Sequence, residues 1–247
     1  MGSFHVITIC PYVPPKRATT GSHGNSALDY RQRFFDSWNY FGCKPTVLTT
    51  GPDLAFTFAE QYRLVQSYIT KLPDDDIVLY ADAFDTFTLD SPDVILEKYR
   101  SLNVPAVFAA DRCCRPSIAW TMLFLANRKK RFLDSGIFII SAKAFKQAAS
   151  TFCSQTIADY EEAQTIYQSW HLFSPQTYTI DHDELIFATI PPEDSIGKEY
   201  TISSGRIIGT LEKSSPSVIH FPYNHDAYKW NTELDKLWER DEKNQTL

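Results

Sequence analysis

Short β-branched, apolar runs alternate with stretches of helical period along almost the whole chain, and that alternation leaves few folds open. It is the pattern of a largely parallel sheet with helices on its faces. "HVITI" opens it as a first strand. In "ALDYRQRFFDSWNYF", Phe34, Trp38 and Phe41 recur at helical spacing, which predicts an amphipathic helix. "TVLT" is a second strand and "LAFTFAEQYRLVQSYITKL" a second helix. "DIVLYA" is the clearest strand, apolar on both faces as a central parallel strand should be. "SPDVILEKYR" supplies an N-cap serine, a proline at the first helical position and an acid in the first turn. "PAVFAA" and "GIFII" predict further strands, and "SAKAFKQAASTF" and "IADYEEAQTIYQSW" further helices. "DHDELIFATI" reads as a helix with an acidic first turn, "SVIHF" as a late strand, and "AYKWNTELDKLWER" as a closing amphipathic helix.

At 247 residues the chain can hold one large α/β domain or two small ones. It shows no repeats and no low-complexity linker, so one domain over residues 1–247 is expected. A net charge of -6 argues against a nucleic-acid backbone as partner. No apolar stretch approaches the roughly 18 residues of a membrane span. The five cysteines (Cys10, Cys43, Cys113, Cys114 and Cys153) are odd in number and lack CxxC spacing, which favours free thiols in a reducing compartment. No base is placed beside Cys113 and Cys114, so these read as structural. "MGSFHVITIC" has no basic leader segment, from which a cytoplasmic location is expected; the Asn244 sequon then carries no weight.

The third strand ends in Asp82, and Asp85 follows three residues later. An isolated carboxylate at the edge of a core is costly unless hydrogen-bonded, charge-paired or metal-bound. In open α/β sheets ligands sit beyond the carboxyl ends of the strands. A sharp turn after Asp82 would bring Asp85 round to the same point. Two hard oxygen ligands suit Mg²⁺ or Mn²⁺, with positions left for phosphate and water. The bland alternative is a capping Asp82 and a solvated Asp85, which would win for a bare DxxD without the strand before it. "SVIHF" carries His220 to a strand end as well, where it could complete an Asp/Asp/His set or simply be packed.

Several segments together resemble one family: "YRQRFFDSWNYFGCKPTVLTTG", "DIVLYADAFDTFTLDSPDVILEKY", "VFAADRCCRP", "RFLDSGIFII", "DHDELIFATI" and "VIHFPYNH". In order and spacing they are similar to the GT-A glycosyltransferase domain of the multifunctional procollagen lysyl hydroxylases and the related collagen-type glycosyltransferases. The resemblance implies a GT-A, Rossmann-like fold: α/β, a mostly parallel sheet flanked by helices. It implies that Asp82, Asp85 and His220 bind Mn²⁺ or Mg²⁺. It sets Phe84 where an aromatic stacks on uracil, with a buried core phenylalanine as the alternative. The backbone of Ile9 to Pro11 falls where the base is held, and Asp183 matches the last acid of a run near acceptor and sugar. A surface helix start is the other explanation of Asp183.

The chain also departs from the family. "NSGG" is "DSGI" here, so Asp134 stands for an asparagine near the sugar and Ile137 for a glycine. The glycine-rich segment after the histidine is "FPYNHDAYK", which leaves phosphate contact to Asn224 or Lys229. The hydroxylase domains of those larger proteins are not in these 247 residues, which is expected of a stand-alone transferase or of a piece of something longer.

The reaction this implies moves a hexose, glucose or galactose, from a UDP-sugar to a protein or glycan hydroxyl. Asp183 or Asp134 would take the acceptor proton in an inverting reaction, or steady the cationic sugar in a retaining one. Two rivals stand beside it. One is a nucleotide-sugar-binding domain without turnover; the other is a metal-dependent hydrolase or nucleotidyltransferase using the same carboxylates.

Overall fold

In the computed structural model the described residues are 2–10, 27–49, 58–112, 132–152, 163–190, 199–203, 206–210 and 213–222. Their centre is a six-stranded sheet built from β1 (Phe4–Ile9), β2 (Thr46–Leu48), β3 (Ile77–Ala81), β5 (Ala106–Asp111), β6 (Phe132–Ser141) and β7 (Tyr178–Asp181). The order is β2-β1-β3-β6-β5-β7. Strand β1 pairs in parallel with β2 and β3, and β5 pairs in parallel with β7. Only β6 is reversed, running antiparallel to both β3 and β5. The fold is thus α/β with a mostly parallel sheet flanked by helices.

Alternate strand residues feed two cores, as a central sheet requires. Ile7, Val78, Tyr80, Phe108 and Phe138 face one side. There they meet Tyr62 and Val65 of α2 (Phe58–Ile69), Phe145 of α4 (Ala142–Phe152), and Tyr167 and Trp170 of α5 (Ala163–Phe173). Val6, Leu79, Ala81, Val107 and Ile139 face the other side, under Phe34 and Trp38 of α1 (Ala27–Tyr40) and Ile95 and Tyr99 of α3 (Pro92–Ser101). Ile137, of the "DSGI" run, belongs to this second core and is fully buried. Ser91 precedes α3 in an extended conformation and accepts the Ile95 N–H through its carbonyl; its hydroxyl makes no cap.

A smaller sheet adjoins the first. Strand β11 (Val218–His220) lies between β4 (Thr86–Thr88), antiparallel, and β8 (Phe187–Thr189), parallel. The hairpin of β9 (Tyr200–Ser203) and β10 (Arg206–Gly209) covers it, burying Ile207 and Tyr200 against Ile219, Phe87 and Phe221.

One expectation is overturned. "DHDELIFATI" is a turn followed by strand β8, not a helix. The Asp181 carboxylate accepts the N–H groups of Leu185, Ile186 and Phe187, which fixes a tight turn in place of a helical first turn. Glu184 has a φ of 52, outside the helical range. Strand β6 is also longer than "GIFII" suggests, and β4, β7, β9 and β10 are strands the periodicity did not single out. The closing helix proposed for "AYKWNTELDKLWER" lies outside the described residues, as does the first half of "IADYEEAQTIYQSW". Among the described residues no helix is long and apolar enough to cross a membrane.

Candidate active site

Strand β3 runs into a four-residue turn, Asp82 to Asp85, that delivers the chain into β4 and so from the large sheet to the small one. The Thr86 hydroxyl donates to the Asp82 carbonyl at 2.6 Å and closes the turn. The Phe221 N–H donates to the Asp85 carbonyl at 2.7 Å, which ties the turn to the end of β11. Because His220 pairs with Thr86 across β4 and β11, its imidazole arrives beside the turn. Asp82, Asp85 and His220 therefore each present a ligand atom, all within 4.8 Å of one another.

Strand β6 forms the floor. Its pairing with β5 jumps from Phe108↔Phe138 to Ala109↔Asp134, so residues 135–137 bulge out of that ladder. Bulges re-aim side chains beside functional sites. Here the bulge sends the Gly136 carbonyl to the Asp82 N–H at 2.9 Å and brings the Gly136 backbone under the imidazole. A Cβ on Gly136 would lie 2.5 Å from His220 Cε1 and 3.2 Å from Asp82 Oδ2. Only glycine permits this approach.

Two of the three, Asp82 and His220, are held from behind. Buried Tyr80, on the same strand face as Asp82, donates its hydroxyl to Asp82 Oδ1 and accepts from Gln61 Nε2 at 2.6 Å. The His220 Nδ1 lies 2.6 Å from Asp134 Oδ2, while Nε2 lies 3.4 Å from Asp85 Oδ2. Asp134 Oδ2 also accepts the Thr189 hydroxyl at 2.9 Å, and Oδ1 accepts the Gly136 N–H at 2.9 Å. By contrast, Asp85 Oδ1 is buried and has no hydrogen-bond partner among the described residues.

The electrostatics follow from crowding three carboxylates around one imidazole. Burial and the Asp85 charge push Asp82 up to about 7, against the pull of His220 and the Tyr80 hydroxyl. Burial opposes protonation of His220, yet the Asp134 and Asp85 carboxylates outweigh it and hold the imidazole well above its usual range. Burial likewise opposes the charge on Asp134, but His220 and the Gly136 and Thr189 donors keep its pKa below the ordinary carboxylate value.

These residues fit a divalent cation. A buried carboxylate oxygen without a partner needs an explanation, and an ion is one. Two carboxylates and an imidazole are a donor set that suits Mn²⁺ or a related hard to borderline cation. The Asp134–His220 contact has the form of the carboxylate–histidine pairs behind metal ligands.

The other sequence candidates fall at different distances from this cluster. Phe84 is half-buried within the turn itself. Ile9 is 3% exposed at the carboxyl end of β1, where the next N–H, that of Cys10, donates to the Leu48 carbonyl. Asp183 is exposed in the turn between β7 and β8. Asp134 lies behind His220 with both carboxylate oxygens engaged. Pro11, Asn224 and Lys229 lie outside the described residues, with Cys113, Cys114 and Cys153. Cys10 and Cys43 are free thiols, and the Cys10 sulfur accepts from Arg31.

Sequence reasoning missed Tyr80, Gln61, Gly136 and Thr189. Two of them left a signal: Tyr80 is two residues before Asp82 and so shares its strand face, and Gly136 interrupts an apolar strand. Gln61 and Thr189 reach the site only through tertiary structure.

A family model described as the PLOD GT domain matches residues 22–229. Human procollagen-lysine,2-oxoglutarate 5-dioxygenase 2 is 24% identical over an alignment of 208 residues that covers 76% of this chain and 27% of that protein. The chain thus spans about a quarter of the length of that relative. Among solved structures, the catalytic domain of Drosophila β1,4-galactosyltransferase 7 in complex with xylobiose matches at 13% identity, covering 72% of this chain and 63% of that one, with a TM-score of 0.40. The apo structure of the bifunctional glycosyltransferase WbbM matches at 10% identity over 96% of this chain and 52% of its own, with a TM-score of 0.49.

Proposed function

The chain belongs to the PLOD GT domain family, a family of glycosyltransferase domains, and from that premise we propose that it transfers a hexose from a UDP-sugar to a hydroxyl of a protein or glycan acceptor. Glucose and galactose are the sugars we favour. The observation that carries the proposal is the convergence of Asp82, Asp85 and His220 on one point at the sheet's carboxyl edge, with a buried Asp85 oxygen left without a partner among the described residues.

In this reading Asp82, Asp85 and His220 hold Mn²⁺ or Mg²⁺. The chemistry such an ion supplies is neutralisation of the charge that builds on a departing diphosphate. Tyr80 and Gln61 keep the Asp82 carboxylate turned toward the site. Phe84 lies in the turn between the two aspartates and Ile9 ends β1; with Pro11 they are our candidates for holding the base. Asn224 and Lys229 are our candidates for phosphate contact.

Of Asp134 and Asp183, we favour Asp183 as the group that takes the acceptor proton. Asp134 is 6% exposed and accepts from Gly136, Thr189 and His220, which sets it back from an acceptor. Exposed Asp183 remains the candidate for that role, and its place in the turn leaves it open to solvent and to an acceptor.

The test is a screen of UDP-sugars with Mn²⁺ present or chelated, reading UDP release. Turnover of one UDP-hexose that stops on chelation, and that Asp82→Ala and Asp85→Ala abolish while remaining folded, is the expected result. Undiminished release by both variants would refute the assignment. Metal-dependent UDP binding with no sugar release would favour a binding domain instead.

A further inference from the structure

We propose that Asp134 is a positioning residue that holds His220 in the one tautomer able to offer Nε2 to the metal, a role that rests on the metal reading given above. Donors and acceptors around Asp134 decide the tautomer. Three groups converge on the Asp134 carboxylate: the Gly136 N–H on Oδ1 at 2.9 Å, and the Thr189 hydroxyl and His220 Nδ1 on Oδ2 at 2.9 and 2.6 Å. The backbone N–H can only donate, and the buried carboxylate meets all three by accepting. An imidazole that donates from Nδ1 has its Nε2 lone pair free, and Nε2 is the atom on the side of Asp85.

Asparagine cannot satisfy the same set. With its oxygen toward Gly136, its NH₂ would face His220 Nδ1, and the ring would have to become an acceptor there and carry its proton on Nε2. With its oxygen toward His220, the NH₂ would meet the Gly136 N–H, donor against donor. Asp134 is 6% exposed, so water offers little relief. Thr189 sits beside His220 in the parallel register of β8 and β11, which lets both side chains reach the same oxygen.

The experiment is Mn²⁺ binding by electron paramagnetic resonance on the full chain, with pulsed detection of ¹⁴N coupling from a coordinated imidazole. Wild type is expected to bind Mn²⁺ with nitrogen coupling, and His220→Gln to lose that coupling. Asp134→Asn, of nearly the same shape, should bind about 10- to 100-fold more weakly and lose the coupling, the scale of loss common when such partners are changed. An Asp134→Asn protein with wild-type affinity and intact coupling overturns the role of Asp134 while leaving the metal reading in place. Wild type with no nitrogen-coupled Mn²⁺ overturns both. A second measurement does not depend on any Asp134 variant folding. In ¹⁵N spectra of the magnesium-loaded wild type, the His220 ring, identified by its absence in His220→Gln, should carry its proton on Nδ1. A proton on Nε2 would overturn the proposal.

Discussion

Gly136 shows how much of the site depends on single atoms. The backbone of β6 passes under His220 so closely that one added methyl would sit 2.5 Å from Cε1. Neither the imidazole, fixed by Asp134, nor the Asp82 carboxylate, fixed by Tyr80, is free to retreat. We expect Gly136→Ala to weaken Mn²⁺ binding by about tenfold or more, measured by calorimetric titration, while circular dichroism stays near wild type. Unchanged affinity would mean the three ligands do not meet where the backbone puts them. At this scale the three residues that converge were legible in the sequence, because a strand ending in DxxD and a strand ending in histidine are local patterns. Asp134 was legible as a candidate, but its contacts were not. Whether a buried acid faces a substrate or a histidine depends on residues 55 and 86 positions away, Thr189 and His220.

Among the elements, the hairpin of β9 and β10 is fastened by one buried carboxylate. Asp90 accepts both Arg206 amino groups, the Ser217 hydroxyl at 2.7 Å and the Lys98 ammonium at 3.4 Å. Arg206 also donates to the Leu89 carbonyl and the Ser215 hydroxyl. Burial disfavours the Asp90 charge, but Arg206, Ser217 and Lys98 outweigh it and hold its pKa below the ordinary value. A depressed folded pKa gives stability that is complete above the unfolded pKa of about 4 and is lost as pH falls through the folded one. Arg206→Ala should cost about 2 kcal/mol at neutral pH, since Ser217 and Lys98 remain, and should make the acid-side decline shallower. Urea unfolding at neutral pH and near pH 3 tests both; an unshifted neutral midpoint would contradict the account. Strands β3 and β5 of the large sheet were readable from apolar runs buried on both faces, whereas β7 was not. The turn at Asp181 was not, because its acids and the following apolar residues mimic a helix start; the outcome hangs on three backbone N–H groups choosing the carboxylate.

For the molecule as a whole, the site lies at the junction of two sheets, with Asp82 leaving the large one and His220 ending a strand of the small one. A cation bound there cross-links them and binds only the folded chain. At about 100 times its Kd it should add about 2.7 kcal/mol, or roughly 5–10 °C in Tm for a chain of this size. Asp85→Ala should abolish the rise, read by calorimetric scanning with and without Mn²⁺; an equal rise in that variant would place the ion elsewhere. The α/β class was evident from alternation alone, but the small sheet was not, since its three-residue strands are too short to show a period. The central claim is that two aspartates and a histidine grip one cation against a nucleotide diphosphate, and diffraction from crystals grown with Mn²⁺ and UDP tests it most directly. The account predicts one anomalous peak roughly 2.0–2.3 Å from Asp82, Asp85 and His220 Nε2, with the diphosphate completing its shell. A peak bound by other residues, or UDP seated away from the Asp82 turn, would contradict it.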